Sequence, residues 1–542
     1  MLRPAVSRLP QAQLISGLAA IVGPNRVSTE LPDLVAYSAD FWPKLQIWKL
    51  GGEPERYPPD CVVWPGTEAE VQDIVRFCAK HSIPLIPYGG GSGVCGGTVP
   101  LSGGVIVDLK RLRAIRSIDR SSHTVSAEGG ILGQHLEDRL AAAGFTLGHF
   151  PSSIMCSTLG GWLATRSGGQ FSSRYGKIED MVQSLRVVLA DGSVLDTADR
   201  SEGDPDWTQV LVGSEGTLGF ITAATLRVHP APVSRYFRGF KFHTLHDALT
   251  AMRLVMQAGL EPVVLRLYDP FDSMIALGKS DAPVADERQS AGLRAVVERM
   301  THWAADRRDT VPGAGVTRRL RRAASRKAIA AALSVPAVLN RLAEAVPSQC
   351  LLIIGFEGPD EAVQRAAWRS RQILLDANGT DVGAHIGETW LAKRHAVAFK
   401  QARIYQADSF VDTMEVATTW DRLPQLYDSV RRAVSPHAFI MAHFSHAYRE
   451  GCSIYFTFAA HRANAERSAA LYDVIWDAAL RATHAAGGTA SHHHGVGISK
   501  KHAMALEHGE MLRVWRALKD SLDPQGIMNP GKLFPDNAGG LP

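Results

Sequence analysis

Apolar positions fall into two textures along the chain. Up to about residue 230 they form short runs between Gly-rich loops. From 233 to 485, helical and strand-like patterns alternate without such loops. Residues 14–22 read as one short amphipathic helix, and Asp40-Phe-Trp-Pro-Lys44 as an aromatic loop after it. Cys61-Val-Val-Trp-Pro65 reads as a strand. Over 68–81, Val71, Ile74, Val75 and Cys78 keep the 3.6-residue period and predict a helix. Ile83-Pro-Leu-Ile-Pro87 predicts a second strand, and 105–109 and 123–127 alternate as strands do. A helix is expected over 133–143. This is a βαβ opening followed by mixed elements, and it predicts an α+β class. The expected division is an N-terminal helical segment 1–53, a first domain 54–232, a second domain 233–485 and a C-terminal segment 486–542.

Three glycine-rich blocks interrupt the first domain. Pro87-Tyr-Gly-Gly-Gly-Ser-Gly-Val-Cys-Gly-Gly97 follows directly on a predicted strand. Gly89, Gly90, Gly91 and Gly93 leave successive backbone amides uncovered, a concavity suited to a pyrophosphate, and Ser92 adds a hydroxyl donor. The block has no Gly-Lys-Ser/Thr ending, so it is not an ATP-hydrolysing P-loop. It also lacks the G-x-G-x-x-G fingerprint and acidic residue of the Rossmann unit. The second block, Pro151-Ser-Ser-Ile-Met-Cys-Ser-Thr-Leu-Gly-Gly161, runs on to Arg174-Tyr-Gly176. Its small residues let backbone pack against a flat ligand. The third, Gly213-Ser-Glu-Gly-Thr-Leu-Gly-Phe-Ile221, places a turn before a strand.

Charge and cysteine usage narrow the function classes. Lys plus Arg number 58 against 54 Asp plus Glu, a net +4 on 542 residues, too small a bias for nucleic-acid binding. The six cysteines form no C-x-x-C pair, which argues against a zinc ribbon or thioredoxin motif and favours a reducing, cytoplasmic setting. No apolar run reaches the roughly 18 residues of a membrane-spanning helix. Arg318, Arg319, Arg321, Arg322, Arg326 and Lys327 cluster on an expected helix. A solvated face is the simpler reading, and peripheral contact with anionic lipid is the functional one.

In order and spacing, the three blocks resemble the vanillyl-alcohol-oxidase/PCMH-type FAD-binding domain over about residues 58–230. The resemblance implies an α+β flavin domain of two subdomains with an α+β cap over the substrate. It implies that Gly89 to Gly93 cradle the pyrophosphate, that Ser157, Thr158, Gly161 and Thr165 line the flavin, and that Glu215, Gly216 and Ile221 take the adenine side. Neither Cys95 nor Cys156 stands at a recognised tethering position, and no His lies between Pro87 and Gly97, so FAD is expected to be non-covalent. Asp523-Pro-Gln-Gly-Ile-Met-Asn-Pro-Gly-Lys-Leu533 is similar to the superfamily's ending, which returns to the flavin domain with Asn529 and Lys532 near the cofactor.

A fourth motif, Ser491-His-His-His-Gly-Val-Gly497, carries acid/base capacity near pH 7. Adjacent side chains cannot all face one way, so at most two of the three histidines share one site. FAD-linked 2-hydroxy-acid dehydrogenases usually read Ser-Gly-Glu-His-Gly here, with an upstream His-x-Gly-Asp-Gly-Asn-x-His. In this chain the upstream segment is His443-Phe-Ser-His-Ala-Tyr-Arg-Glu-Gly-Cys-Ser-Ile-Tyr455, and no metal site is expected.

These segments, with Tyr-Gly-Lys-Ile-Glu-Asp and Val264-Leu-Arg-Leu-Tyr-Asp269, resemble the alkyldihydroxyacetonephosphate synthase family over about 55–533. That resemblance implies exchange of the acyl group of acyl-dihydroxyacetone phosphate for a fatty alcohol, through a flavin N5 adduct. It implies Tyr455 and His492, His493 and His494 as acid/base residues and Arg266 at the substrate phosphate. The family's further arginine falls on Gln401, with Lys400 and Arg403 as the nearby cations. Lipid-like small molecules are the expected partners and a homodimer the expected assembly. An FAD-linked oxidase or dehydrogenase of a hydroxy acid or alcohol is the rival reading, and a non-catalytic flavoprotein a third.

Overall fold

The computed structural model describes residues 9–54, 56–199, 201, 203–277, 326–344, 349–395 and 402–535. The chain forms two compact units. The first gathers 1–45, 53–231 and 490–542, and the second 46–52 and 232–489. Most of the N-terminal segment therefore belongs to the first unit instead of standing apart.

The first unit is built on two main sheets, with His229–Pro230 and Phe145–Thr146 pairing as a small third. In the smaller, Cys61–Val63, Val105–Asp108 and Leu85–Tyr88 run parallel, with Val27–Ser28 antiparallel at the edge. The helix Glu68–Lys80 makes the crossover. Thr67 caps it by accepting from the Glu70 amide, and Val71, Ile74, Val75 and Cys78 are its buried stripe. Leu14, Leu18 and Val22 of the helix Gln11–Val22 join the same core. The expected strand over 83–87 starts two residues later, because the turn at His81 and Ser82 ends the helix and the Ile83 amide still donates back to the Cys78 carbonyl at 2.9 Å. The larger sheet is antiparallel, in the order Ile115–Asp119, Thr124–Glu128, Phe220–Arg227, Val182–Val188, Val194–Asp196. The C-terminal tail adds to the smaller sheet: the Leu85 amide donates to the Ile527 carbonyl at 2.8 Å, and the Asn529 amide to the Leu85 carbonyl at 2.8 Å.

The second unit is one seven-stranded antiparallel sheet. Its order is Thr380–Gly383, Ser234–Phe242, Cys350–Gly358, Val264–Tyr268, Phe439–Ala447, Gly451–His461, Ser409–Thr419. Alternation along the strands sets the two faces. Phe444 and Phe456 face Tyr427 of the helix Leu423–Val434, with ring centroids 5.6 and 6.2 Å away. The intervening His443 and Tyr455 are thereby turned to the opposite face. Arg326 and Lys327 are exposed on helical residues. Arg318, Arg319, Arg321 and Arg322 lie outside the described residues, as do Lys400 and Gln401. Arg403 falls in the short helix Ala402–Tyr405.

Candidate active site

The functional side chains form one cluster in each unit. In the first, the Gly-rich loop leaves the 85–88 strand and packs directly on the second glycine block. A Cβ at Gly89 would lie 2.2 Å from the Thr158 hydroxyl, and one at Gly90 1.8 Å from the Cys156 carbonyl. Gly91 has φ +61° and its Cβ would strike the Tyr88 hydroxyl. Only glycine lets these segments meet. Among the described residues, no protein acceptor takes the backbone N–H groups from Gly89 to Gly93. That row of open amides is what a pyrophosphate needs, so the cradle fits the cofactor. Lys110 Nζ donates to the Gly89 carbonyl at 3.0 Å and pairs with Asp108 at 2.7 Å, holding the loop from behind.

The second block spends its hydroxyls on itself. Thr158 accepts from the Gly161 amide at 3.3 Å, and the Thr165 hydroxyl donates to the Gly161 carbonyl at 3.0 Å. Ser157 accepts from Trp162 Nε1 at 2.7 Å and donates to the Ser153 carbonyl. The segment thus offers backbone and small residues to a flat ring more than free hydroxyl groups.

Glu215 also ties down a distant segment of the chain. Its two carboxylate oxygens accept from the Val496 and Gly497 amides at 2.5 and 2.8 Å. It therefore anchors the segment after the three histidines. Burial pushes its pKa up to about 7. Gly216, at φ +72°, is closed against the Pro87 ring, and Ile221 is buried in its strand. Asn529 ties the blocks together, donating through Nδ2 to the Gly97 carbonyl at 2.8 Å and the Glu215 carbonyl at 2.6 Å. Lys532 donates to the Val99 carbonyl at 2.7 Å, and burial lowers its pKa to about 7. His492 and His493 meet through their Nδ1 atoms at 2.8 Å, and His494 packs edge-on against His493 at 4.6 Å. Lys177 holds the His492 carbonyl at 3.2 Å.

Asp40 is a buried carboxyl beside the glycine loop. It is 4% exposed, accepts from the Trp42 amide at 2.9 Å, and its second oxygen has no partner among the described residues. Burial raises its pKa to about 6. The neighbouring Phe41 amide donates to the Gly93 carbonyl at 2.9 Å, which brings this segment against the cradle. Its only sequence signal is its place at the head of the aromatic loop Asp40–Lys44.

In the second unit, strand register assembles a polar row. Tyr268 pairs with His443, His443 with Tyr455, and Tyr455 with Glu415. Directly opposed residues share a face, so all four stand on one side of the sheet. Arg266 joins them two residues before Tyr268. Its Nη2 lies 2.6 Å from His443 Nε2, and its guanidinium sits 5.2 Å from the Tyr268 ring centre. His443 Nδ1 is 3.1 Å from Asp272. The His443 ring stacks on Tyr455 at 4.8 Å and 16°. His446 arrives by a bulge: the register shifts between Ser445 and Ala447, and His446 has φ +52°. Three residues after His443 it would otherwise point to the other face. Its ring lies 5.9 Å from Tyr455, with Nε2 3.4 Å from the phenol oxygen. Burial, with Glu415 beside it, raises the Tyr455 pKa above the ordinary tyrosine value. At neutral pH the Tyr455 phenol is protonated. Burial and Arg266 push His443 well below the ordinary histidine value. Among the described residues, no group of three or more His, Cys, Asp or Glu is placed to hold a metal ion.

Comparison with known proteins identifies the class. A profile described as "FAD binding domain" matches residues 59–198, and one described as "FAD linked oxidases, C-terminal domain" matches 231–533. The chain belongs to the FAD-linked oxidase family, with a PCMH-type FAD-binding domain and α+β fold. Among individual relatives, an alkyldihydroxyacetonephosphate synthase of Dictyostelium discoideum is 31% identical over 490 residues, 88% of this chain and 73% of that protein. The uncharacterized FAD-linked oxidoreductase YgcU of Escherichia coli K12 is 28% identical over 549 residues, 97% of this chain and 99% of that one. A solved alkyldihydroxyacetonephosphate synthase superposes with TM-score 0.72 at 27% identity, covering 97% of this chain and 86% of that chain. No described helix is long and apolar enough to cross a membrane.

Proposed function

We propose that this FAD-linked enzyme exchanges the acyl group of an acyl-dihydroxyacetone phosphate for a fatty alcohol, forming an ether bond. The observation that carries the reading is the polar row itself: an arginine, a protonated tyrosine and two histidines on one sheet face, with no metal-ligand set among the described residues. The amides of Gly89 to Gly93 would hold FAD non-covalently, and the bound cofactor in its reduced form would supply a nucleophilic nitrogen. The chain does the rest. Arg266 presents a planar fork to the phosphate, the geometry that suits bidentate contact. Lys400 or Arg403 supplies a second cation. Tyr455, kept protonated by its surroundings, donates a proton to the departing carboxylate, and His446 relays it. His492 to His494 serve proton movement at the incoming alcohol. The exchange is redox-neutral, so it yields no peroxide.

The second reading is an FAD-linked oxidoreductase of a hydroxy acid or alcohol. The near full-length match to YgcU favours it. One experiment separates them. Purified protein is given palmitoyl-dihydroxyacetone phosphate and hexadecanol under air, with its absorption spectrum followed. Alkyl product without peroxide or lasting flavin bleaching supports the exchange. No product with that pair, and bleaching by a 2-hydroxy acid or an alcohol, supports the oxidoreductase.

A further inference from the structure

His443 and Asp272 take no part in the steps above, yet both are buried, each 8% exposed, behind Arg266. Their chemistry is decided by what the neighbours lack. A guanidinium has five N–H donors and no acceptor. The 2.6 Å contact from Arg266 Nη2 therefore requires a lone pair on His443 Nε2. The ring proton must then sit on Nδ1, where Asp272 Oδ2 accepts it at 3.1 Å. The contact fixes a neutral imidazole in one tautomer, and it cannot take a second proton while Arg266 is in place. The same ring lies flat on Tyr455. Arg266 Nε is buried without a hydrogen-bond partner among the described residues.

We infer that Asp272 and His443 form a positioning relay: Asp272 sets the tautomer of His443, and His443 orients the Arg266 fork toward an anionic group of the substrate while its face steadies Tyr455. This rests on the proposed reading of Arg266 as the anion-binding arm. Neither relay residue touches substrate in this scheme. A hydrogen bond to a charged group is the kind whose loss changes affinity about tenfold or more.

The test is calorimetric binding of dihydroxyacetone phosphate to the full, FAD-loaded chain. His443→Phe keeps a flat ring beside Tyr455 and removes the acceptor for Arg266. His443→Gln restores an acceptor without the ring. We expect about a tenfold rise in Kd for His443→Phe and a rise of no more than about threefold for His443→Gln. Nitrogen-15 spectra of histidine-labelled wild type should show a neutral, Nδ1-protonated ring, assigned by its absence in His443→Phe. An unchanged Kd in His443→Phe while Arg266→Ala weakens binding would overturn the relay alone. So would equal losses in both His443 variants, or an Nε2-protonated or charged ring. An Arg266→Ala variant that binds as wild type does would instead remove the anion-arm reading on which the relay depends.

Discussion

At the scale of single residues, the site depends on groups whose protonation is set by burial. His149 gives a clear stability signature. It is 1% exposed, packs edge-on to Trp162 at 4.6 Å, and burial alone lowers its pKa to about 3. The unfolded chain takes up a proton near pH 6.5 and the folded chain does not. Its contribution is therefore complete above pH 6.5 and is lost as pH falls from there toward 3, at up to about 1.4 kcal/mol per pH unit. In urea titrations at pH 7, 6, 5 and 4, His149→Phe should lose stability more slowly than wild type. Parallel slopes would mean the histidine titrates in the folded state. Tyr455 tests chemistry instead. Tyr455→Phe preserves the stack on His443 and deletes only the hydroxyl that faces His446. A fall in turnover of about 10² to 10⁴-fold is expected, with the flavin spectrum unchanged. A tyrosine that merely packs would give nearly wild-type turnover.

At the scale of elements, what the sequence reveals depends on how local the cause is. The helix Glu68–Lys80 was readable because its period, its Thr67 cap and its buried stripe lie within one short segment. The Gly-rich cradle was readable because strand-then-glycine has few other uses. The polar row was readable residue by residue, as Arg266 and Tyr455, but its assembly was not. It depends on which strands neighbour one another, and Tyr268, His443, Tyr455 and Glu415 come from four of them. The anchoring role of Glu215 escaped for the same reason, since its partners lie some 280 residues away. The bulge at His446 leaves no periodic trace at all. It makes its own prediction, because a non-glycine residue at φ +52° carries backbone strain. His446→Gly should be more stable than His446→Ala by about 1 kcal/mol, reversing the usual order of these residues in a strand. Thermal melts of the two variants decide it. Alanine proving the more stable would mean that the backbone relaxes out of the left-handed region once the ring is gone.

At the scale of the whole molecule, the first unit is completed by the last part of the chain. Its C-terminal stretch is bonded in at several points. Lys519 Nζ donates to the Thr217 carbonyl at 2.6 Å and is paired with Asp523, which also accepts from the Ile527 and Met528 amides at 3.0 and 2.8 Å. Beyond it, Asn529 joins the glycine cradle to the Glu215 turn, and that turn holds the segment following His492 to His494. The tail therefore does more than close a sheet edge: it links the cradle to the histidine segment. Shortening the chain to end at Leu522 removes two acceptors of Lys519, Asp523 and the Met528 carbonyl, and both Asn529 bonds at once. The shortened protein should purify with little FAD, seen as a low ratio of absorbance at 450 nm to that at 280 nm. Asn529→Ala is the finer test. It loses two hydrogen bonds, about 2 kcal/mol, at a position with φ +40°. It should bind added FAD measurably more weakly in a fluorescence titration. If it instead lowered the melting temperature while leaving FAD affinity untouched, the tail would be a structural clamp, and the cradle would keep its shape from the 85–88 strand and Lys110 alone.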